Sequence, residues 1–179
     1  MTHINVIDLD NTLLPYDTLH KYILLKIKKG DLNLMAFTLL RILRILNRSK
    51  YSEILFKSVN NCDKLFLNHF IKEQCDNIDL SVMNIVKSHC HSTQNIVNVI
   101  CSASPSNYVK PIAEMLGFIG IGSEYVNGKY VHMYGNQKKN TILQRFPQSE
   151  YFYNFAISDS MSDLDLILCF NEHILYSRK

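Results

Sequence analysis

Short β-rich runs alternate with helical patterns along most of this chain, and that alternation points to a parallel sheet covered by helices on both faces. His3–Ile7 is the first such run, and it ends abruptly at Asp8. Asn95–Cys101, Phe118–Ile121, Tyr151–Ile157 and His173–Tyr176 follow as further candidate strands. Helical periodicity fills the intervals at Ser81–His89, Pro105–Leu116, Gln137–Phe146 and Ser160–Cys169. Asn127-Gly128, set among β-formers in Glu124–His132, predicts a hairpin. The fold class is therefore α/β. With 47% hydrophobic residues in 179, the chain can bury a core for one domain plus a modest insert.

One stretch breaks the alternation. Residues 17 to about 76 carry helical patterns and no convincing strand, with Pro15-Tyr16 before them and Cys75–Asp79 after them as hinges. The organisation expected is a core made of 1–15 and 77–179, with an all-helical insert over 16–76. Inside the insert, Leu32–Leu46 has eleven apolar residues in fifteen and reads as one helix with Arg41 and Arg44 on a common face. Such a helix is expected to form the core of the insert, a lipid contact being the alternative.

Charge adds a local constraint. The net charge of +3 is too small to suggest nucleic-acid binding. Between Lys21 and Lys50, however, eight Lys or Arg face one acid, Asp31. That segment suits an anionic substrate, or less favourably a membrane surface, and reads equally as a solvated helical face. Five cysteines at irregular spacings, with no CxxC, fit reduced thiols in a cytoplasmic protein. The first strand starts at once, so no secretory signal is expected, and no apolar run approaches the roughly 20 residues of a membrane span.

Two acidic motifs follow strands. Asp8-Leu9-Asp10-Asn11-Thr12 comes directly after His3–Ile7, and Ser158-Asp159-Ser160-Met161-Ser162-Asp163 directly after Tyr151–Ile157. Alternation along extended chain sends Asp8 and Asp10 the same way. In open parallel sheets sites form at the carboxyl ends of strands where the strand order reverses. If the fourth strand flanks the first, Asp8, Asp10 and Asp159 converge. Clustered carboxylates repel unless a cation sits among them, and hard oxygen donors favour Mg²⁺. Such a site suits phosphoryl chemistry, which also needs donors for the phosphoryl oxygens. Ser102, at the end of the second strand, and Lys138 and Lys139, at the start of a helix, are candidates. Each feature alone reads more simply as a turn, a cap or a surface charge. Their joint occurrence, in this order, is the informative fact. His89-Cys90-His91 lacks a partner pair at zinc-finger spacing, and Gly120-Ile121-Gly122 reads better as a strand end than as a phosphate loop.

DLDNTL, Ser102 after a hydrophobic run, Lys139 and SDSMSD together resemble the four motifs of the haloacid dehalogenase-like superfamily, over nearly the whole chain. ICSASPSNYVKPIAEMLGF resembles the branch containing phosphoserine phosphatase-like enzymes, which carries a small helical cap after the first strand. The resemblance implies a Rossmann-like three-layer sandwich with sheet order 5-4-1-2-3. It implies Asp8 as the nucleophile that becomes an aspartyl phosphate, and Asp10 as the acid and base. Mg²⁺ would be held by Asp8, the backbone carbonyl of Asp10, and Asp159, with Asp163 in support. Ser102, Lys139, Asn11 and Thr12 would hold the phosphate; Lys139 is preferred to Lys138 on its spacing to Leu143. Tyr16, Asp17, Arg41 and Arg44 are the candidates for facing a small phosphorylated metabolite, such as a sugar phosphate, with a lipid phosphate as the alternative that the basic, apolar helix keeps open. Water or an alcohol is the acceptor, giving a phosphatase or a phosphotransferase. Ala103-Ser104 and Asp17 depart from the phosphoserine phosphatase pattern, so phosphoserine itself is not the expected substrate. Asn11 and Ser158 stand where the family commonly has glycine.

Overall fold

The computed structural model describes residues 1–90 and 95–177. Six strands form one sheet: β1 (Thr2–Ile7), β2 (Ile96–Pro105), β3 (Ile119–Val126), β4 (Lys129–Val131), β5 (Tyr151–Ser158) and β6 (Glu172–Leu175). Their order is β4-β3-β2-β1-β5-β6. All pairs are parallel except β3–β4, the antiparallel hairpin turned by Asn127 and Gly128, both at positive φ. Without that extra edge strand, the order is the 5-4-1-2-3 expected from the sequence. The chain leaves β1 toward β2 and returns to its other flank at β5, so the switch point lies between the carboxyl ends of β1 and β5.

The sheet is buried on both faces, as a parallel sheet must be. On one face Ile7, Ile100, Phe155 and Ile157 pack under α5 (Leu80–Ser88) and α6 (Ser106–Met115). On the other, Ile4, Val6, Val99 and Ala156 pack under α7 (Asn136–Arg145) and the short α8 (Leu164–Ile167). Three asparagines pin the register of the central strands. Asn5 Nδ2 donates to Asn98 Oδ1 at 2.9 Å, and Asn154 Nδ2 donates to Asn5 Oδ1 at 2.8 Å. Asn154 is the extra residue of a bulge in β5. Gly120 and Gly122 lie within β3, where α6 crosses closely. A Cβ at Gly122 would meet Ser104 O at 2.7 Å and Ser106 Cα at 2.8 Å. These glycines are packing residues.

The region expected to be all-helical holds α1 (Thr18–Lys28), α2 (Leu32–Ile42), α3 (Arg48–Asn60) and α4 (Lys64–Asp76). Each begins at an N-cap residue, Asp17, Asp31, Asn47 or Asp63, whose side chain accepts a backbone N–H three residues on. Two expectations fail here. The helix read as Leu32–Leu46 stops at Ile42. Arg44 enters the left-handed region (φ 60°), and Ile45 N donates to Leu40 O, a Schellman-type ending. Arg41 and Arg44 therefore share no helix face. Nor is α2 the core of the insert: only Leu34 is buried in it, and Leu32, Leu39 and Ile42 are exposed.

The insert is stitched to the sheet layer. Phe70 of α4 meets Tyr22 of α1 and Tyr108 of α6 edge-on, with ring centroids 5.7 and 5.4 Å away. Across the molecule, α3 touches the hairpin: Ser52 and Tyr130 hydroxyls are 2.6 Å apart, and Tyr125 donates to Glu53 at 2.6 Å. Because Phe70 is 1% exposed and closes a seam between two layers, Phe70→Ala should destabilise the protein by about 3–5 kcal/mol. Urea unfolding followed by circular dichroism measures this, and a loss under about 1 kcal/mol would show that the seam is loosely packed.

Candidate active site

The two acidic motifs meet at the switch point. Asp8 leaves β1 with its backbone N–H donating to Ile157 O of β5, which fixes the two strand ends side by side. Leu9–Leu13 then forms one wide turn, with Leu13 N donating to Asp8 O and Leu14 N to Leu9 O. Asn11 sits in that turn at φ 56°, a conformation glycine and asparagine tolerate best, which accounts for asparagine where glycine is common. Thr12 ties the motifs together. Asp159 N donates to its hydroxyl oxygen at 2.9 Å, and that hydroxyl lies 3.4 Å from both Asp8 Oδ2 and Asp159 Oδ1.

A buried ion cluster holds Asp8. Lys138 Nζ is 2.6 Å from Asp8 Oδ1 and 2.6 Å from Asp163 Oδ2, and all three side chains are buried. Ser158 Oγ donates to Asp163 Oδ2 at 2.8 Å, so serine at this glycine-like position has a hydrogen-bonding role. The lysine preferred from the sequence, Lys139, is corrected to its neighbour. Gly135, with φ 55° and ψ −128°, sets the start of α7, and Lys138 and Ile142 are its two buried residues. Lys139 is one residue, about 100° of helix, further round and half-buried. The spacing that mattered was to Ile142, not Leu143.

Asp10 is ringed by donors. Thr18 N and Oγ1 donate to Oδ1 at 2.7 and 2.5 Å, and Ser102 and Ser104 hydroxyls donate to Oδ2 at 2.8 and 2.7 Å. Ser102, expected to touch phosphate, is wholly buried beneath Asp10 and receives Ser104 N at 3.0 Å.

These groups form one end of a cavity of about 610 Å³, lined there by Asp8, Asp10, Asn11, Lys138, Asp159 and Asp163. Of the candidates on the insert, Asp17 and Arg41 line it, with Asp17 also capping α1. Tyr16 and Arg44 are not among its lining residues. The Tyr16 hydroxyl accepts from Lys21 at 3.0 Å, and Arg44 is exposed beyond the end of α2. Ser104 stood out in the sequence only as a departure from the phosphoserine phosphatase pattern and Thr18 not at all, because a hydroxyl near a helix start carries no distinguishing pattern. His132 and Tyr134, which also line the cavity, alternate with inward residues after the hairpin and lacked any motif.

Burial pushes the Asp8 carboxyl up to about 7, against the pull of Lys138 and with the repulsion of Asp10 and Asp163. Burial likewise raises Asp159. Lys138, between two carboxylates, is held charged. Asp8, Asp10, Asp159 and Asp163 against one ammonium leave an excess of −3 when all are ionised, which a divalent cation reduces. Among the described residues no three His, Cys, Asp or Glu side chains gather into a cage. Two carboxylates in reach of one ion, with water completing the shell, still fit Mg²⁺, which keeps several waters in such sites. His89 stacks on Phe155 and pairs with Glu172, while His91 lies outside the described residues.

A sequence model described as haloacid dehalogenase-like hydrolase matches residues 6–167, which takes in both acidic motifs and Lys138. The chain belongs to the haloacid dehalogenase-like hydrolase family. No curated protein sequence matches it. Among solved structures, a protein of unknown function from Bordetella pertussis Tohama I is 17% identical with a TM-score of 0.71, covering 97% of this chain and 89% of its own. A HAD family hydrolase from Salmonella enterica subsp. enterica serovar Typhi is 13% identical with a TM-score of 0.59, covering 97% and 68%. A phosphoserine phosphohydrolase-like protein from Francisella tularensis subsp. tularensis SCHU S4 is 12% identical with a TM-score of 0.50, covering 98% and 95%. At these identities the likeness is one of fold. No described helix of this hydrolase is long and apolar enough to cross a membrane.

A buried acid with a raised pKa has a stability signature. Folded Asp8 holds its proton to about 7, whereas the unfolded group releases it near 3.8. Its favourable contribution is therefore complete below pH 3.8 and is lost as pH rises through 7. In metal-free protein, Asp8→Asn should raise the melting temperature at pH 8 and give a shrinking gain toward pH 5. A gain independent of pH in calorimetric scans would mean that Asp8 titrates normally.

Proposed function

We propose that this hydrolase is a Mg²⁺-dependent phosphatase that cleaves a small phosphomonoester through an aspartyl phosphate on Asp8. The observation that carries the proposal is the Lys138 ammonium 2.6 Å from Asp8 Oδ1, with Asp159 against the same carboxylate and the cavity opening over both. Residues 16–76 then act as a cap that supplies the cavity's other walls and excludes water. Asp8, Asp159 and the Asp10 carbonyl would hold the metal. When bound, Mg²⁺ supplies positive charge that keeps Asp8 ionised and offsets charge on the phosphoryl oxygens.

In the first step an Asp8 carboxylate oxygen attacks phosphorus, and the bond from phosphorus to the leaving oxygen breaks. Asp10 gives its proton to that oxygen, releasing an alcohol. In the second step a water attacks the same phosphorus, Asp10 takes its proton, and the bond to Asp8 breaks to release phosphate. Lys138 offers its charge to the phosphoryl oxygens while Asp163 holds it in place. Thr18, Ser102 and Ser104 aim Asp10, and Thr12 keeps Asp8 and Asp159 in register.

With Mg²⁺ and an aryl phosphate, Asp8→Asn should abolish turnover. Lys138→Met should lower kcat/KM by about 100-fold or more, as for loss of a transition-state charge donor. Lys139→Met should stay within about threefold, as for a surface change. Full activity in Asp8→Asn, or equal losses at the two lysines, would refute the assignment.

A further inference from the structure

The far end of the cavity differs in character from the acidic end. Its walls are Leu19, Ile23, Leu24 and Ile27 of α1, Ile42 of α2 and Leu55 of α3. The α1 residues follow helical spacing, so a single face of that helix is turned to the cavity. Polar groups also line this end, among them His20 of α1 and Arg41 of α2, and part of them is occupied within the protein. Thr38 Oγ1 donates to Leu34 O at 2.7 Å and lies 2.9 Å from the Tyr51 hydroxyl, and Arg41 Nη1 donates to Leu46 O. A sugar or amino acid placed against the leucine and isoleucine walls would lose water from its hydroxyls or charges, which is unfavourable except where Arg41 or His20 meets it. An alkyl chain would lose nothing and would release water from the leucine and isoleucine walls.

The apolar wall also continues outward. Ile42 lines the cavity yet is 69% exposed, and Leu39 of α2 and Leu43 just past its end are exposed as well. A chain longer than the cavity can therefore run out along α2 instead of ending against a polar rim.

We propose that the substrate is a phosphomonoester of an aliphatic alcohol, its phosphate over Asp8 and its chain between α1, α2 and α3. This deepens the phosphatase reading and rests on it for the position of the phosphate. The specificity residues are Leu24, Ile27 and Ile42.

The test uses full-length protein and Mg²⁺ with ethyl, butyl, hexyl and octyl phosphate as monomers, alongside glycerol 3-phosphate and glucose 6-phosphate. The expected result is a kcat/KM that rises by about fourfold per methylene until the cavity is filled, the gain of burying one CH₂. The two polar esters should fall below butyl phosphate. Leu24→Glu and Ile42→Glu, at exposed positions, should flatten the rise, and an unchanged unfolding midpoint would show that the fold is kept. Binding supplies a second readout. In metal-free buffer, octyl phosphate should bind Asp8→Asn at least tenfold more tightly than ethyl phosphate in calorimetry. Turnover of all esters with a flat or falling chain-length profile would overturn the aliphatic substrate and leave the phosphatase standing. Chain-length-dependent binding with no turnover of any ester by the unaltered enzyme would support the apolar site and count against the phosphatase.

Discussion

The contact on which the site depends is the Lys138 ammonium held between the carboxylates of Asp8 and Asp163. Three elements distant in sequence supply it: the end of β1, the first turn of α7 and the turn after β5. Buried charges are costly unless paired and hydrogen-bonded, and here each has partners. Asp163 also receives Ser158, while Asp8 shares Thr12 with Asp159. The cluster is poor at adding stability and good at fixing geometry, because desolvation of the charges offsets much of what their pairing returns. That is the expected bargain at a site built for charge transfer rather than for strength.

The sheet provides the frame for this contact. Parallel neighbours β1 and β5 bring two loops to the same edge, and the asparagines of β2, β1 and β5 lock their relative heights. The glycines of β3 let α6 and the end of β2 pack closely, and Ser104 at that strand end meets Thr18 of α1 at Asp10. The helical insert contributes differently. Its aromatic seam at Phe70 fixes it to the sheet layer, while α1, α2 and α3 leave an apolar space open above the acids. In the proposed function, chemistry rests on the sheet and selection on the insert.

Much of this was legible in the sequence, and the reasons differ by element. Strand alternation marked a parallel sheet and the family resemblance implied its order, and the two Asp-rich loops could meet once the late strand was set beside the first. The hairpin declared itself through Asn127-Gly128. Which of two adjacent lysines turns inward did not, since helix phase depends on where α7 starts, and Gly135 sets that start through a backbone conformation no composition reveals. The end of α2 was hidden for a similar reason: an arginine took the left-handed position usually filled by glycine. The exposure of α2 was illegible because hydrophobicity shows that a face seeks cover, not whether the chain supplies it. The support around Asp10 came from ordinary serines and threonines, which gain meaning only from their neighbours.

The central claim is that Asp8 carries the phosphoryl group. Rapid acid quenching during turnover, borohydride reduction and peptide mass spectrometry test it directly, since reduction of an acyl phosphate converts that aspartate to homoserine. The account predicts homoserine at position 8, dependent on substrate and on Mg²⁺. Homoserine at another aspartate, or none at position 8 under conditions of steady turnover, would contradict it.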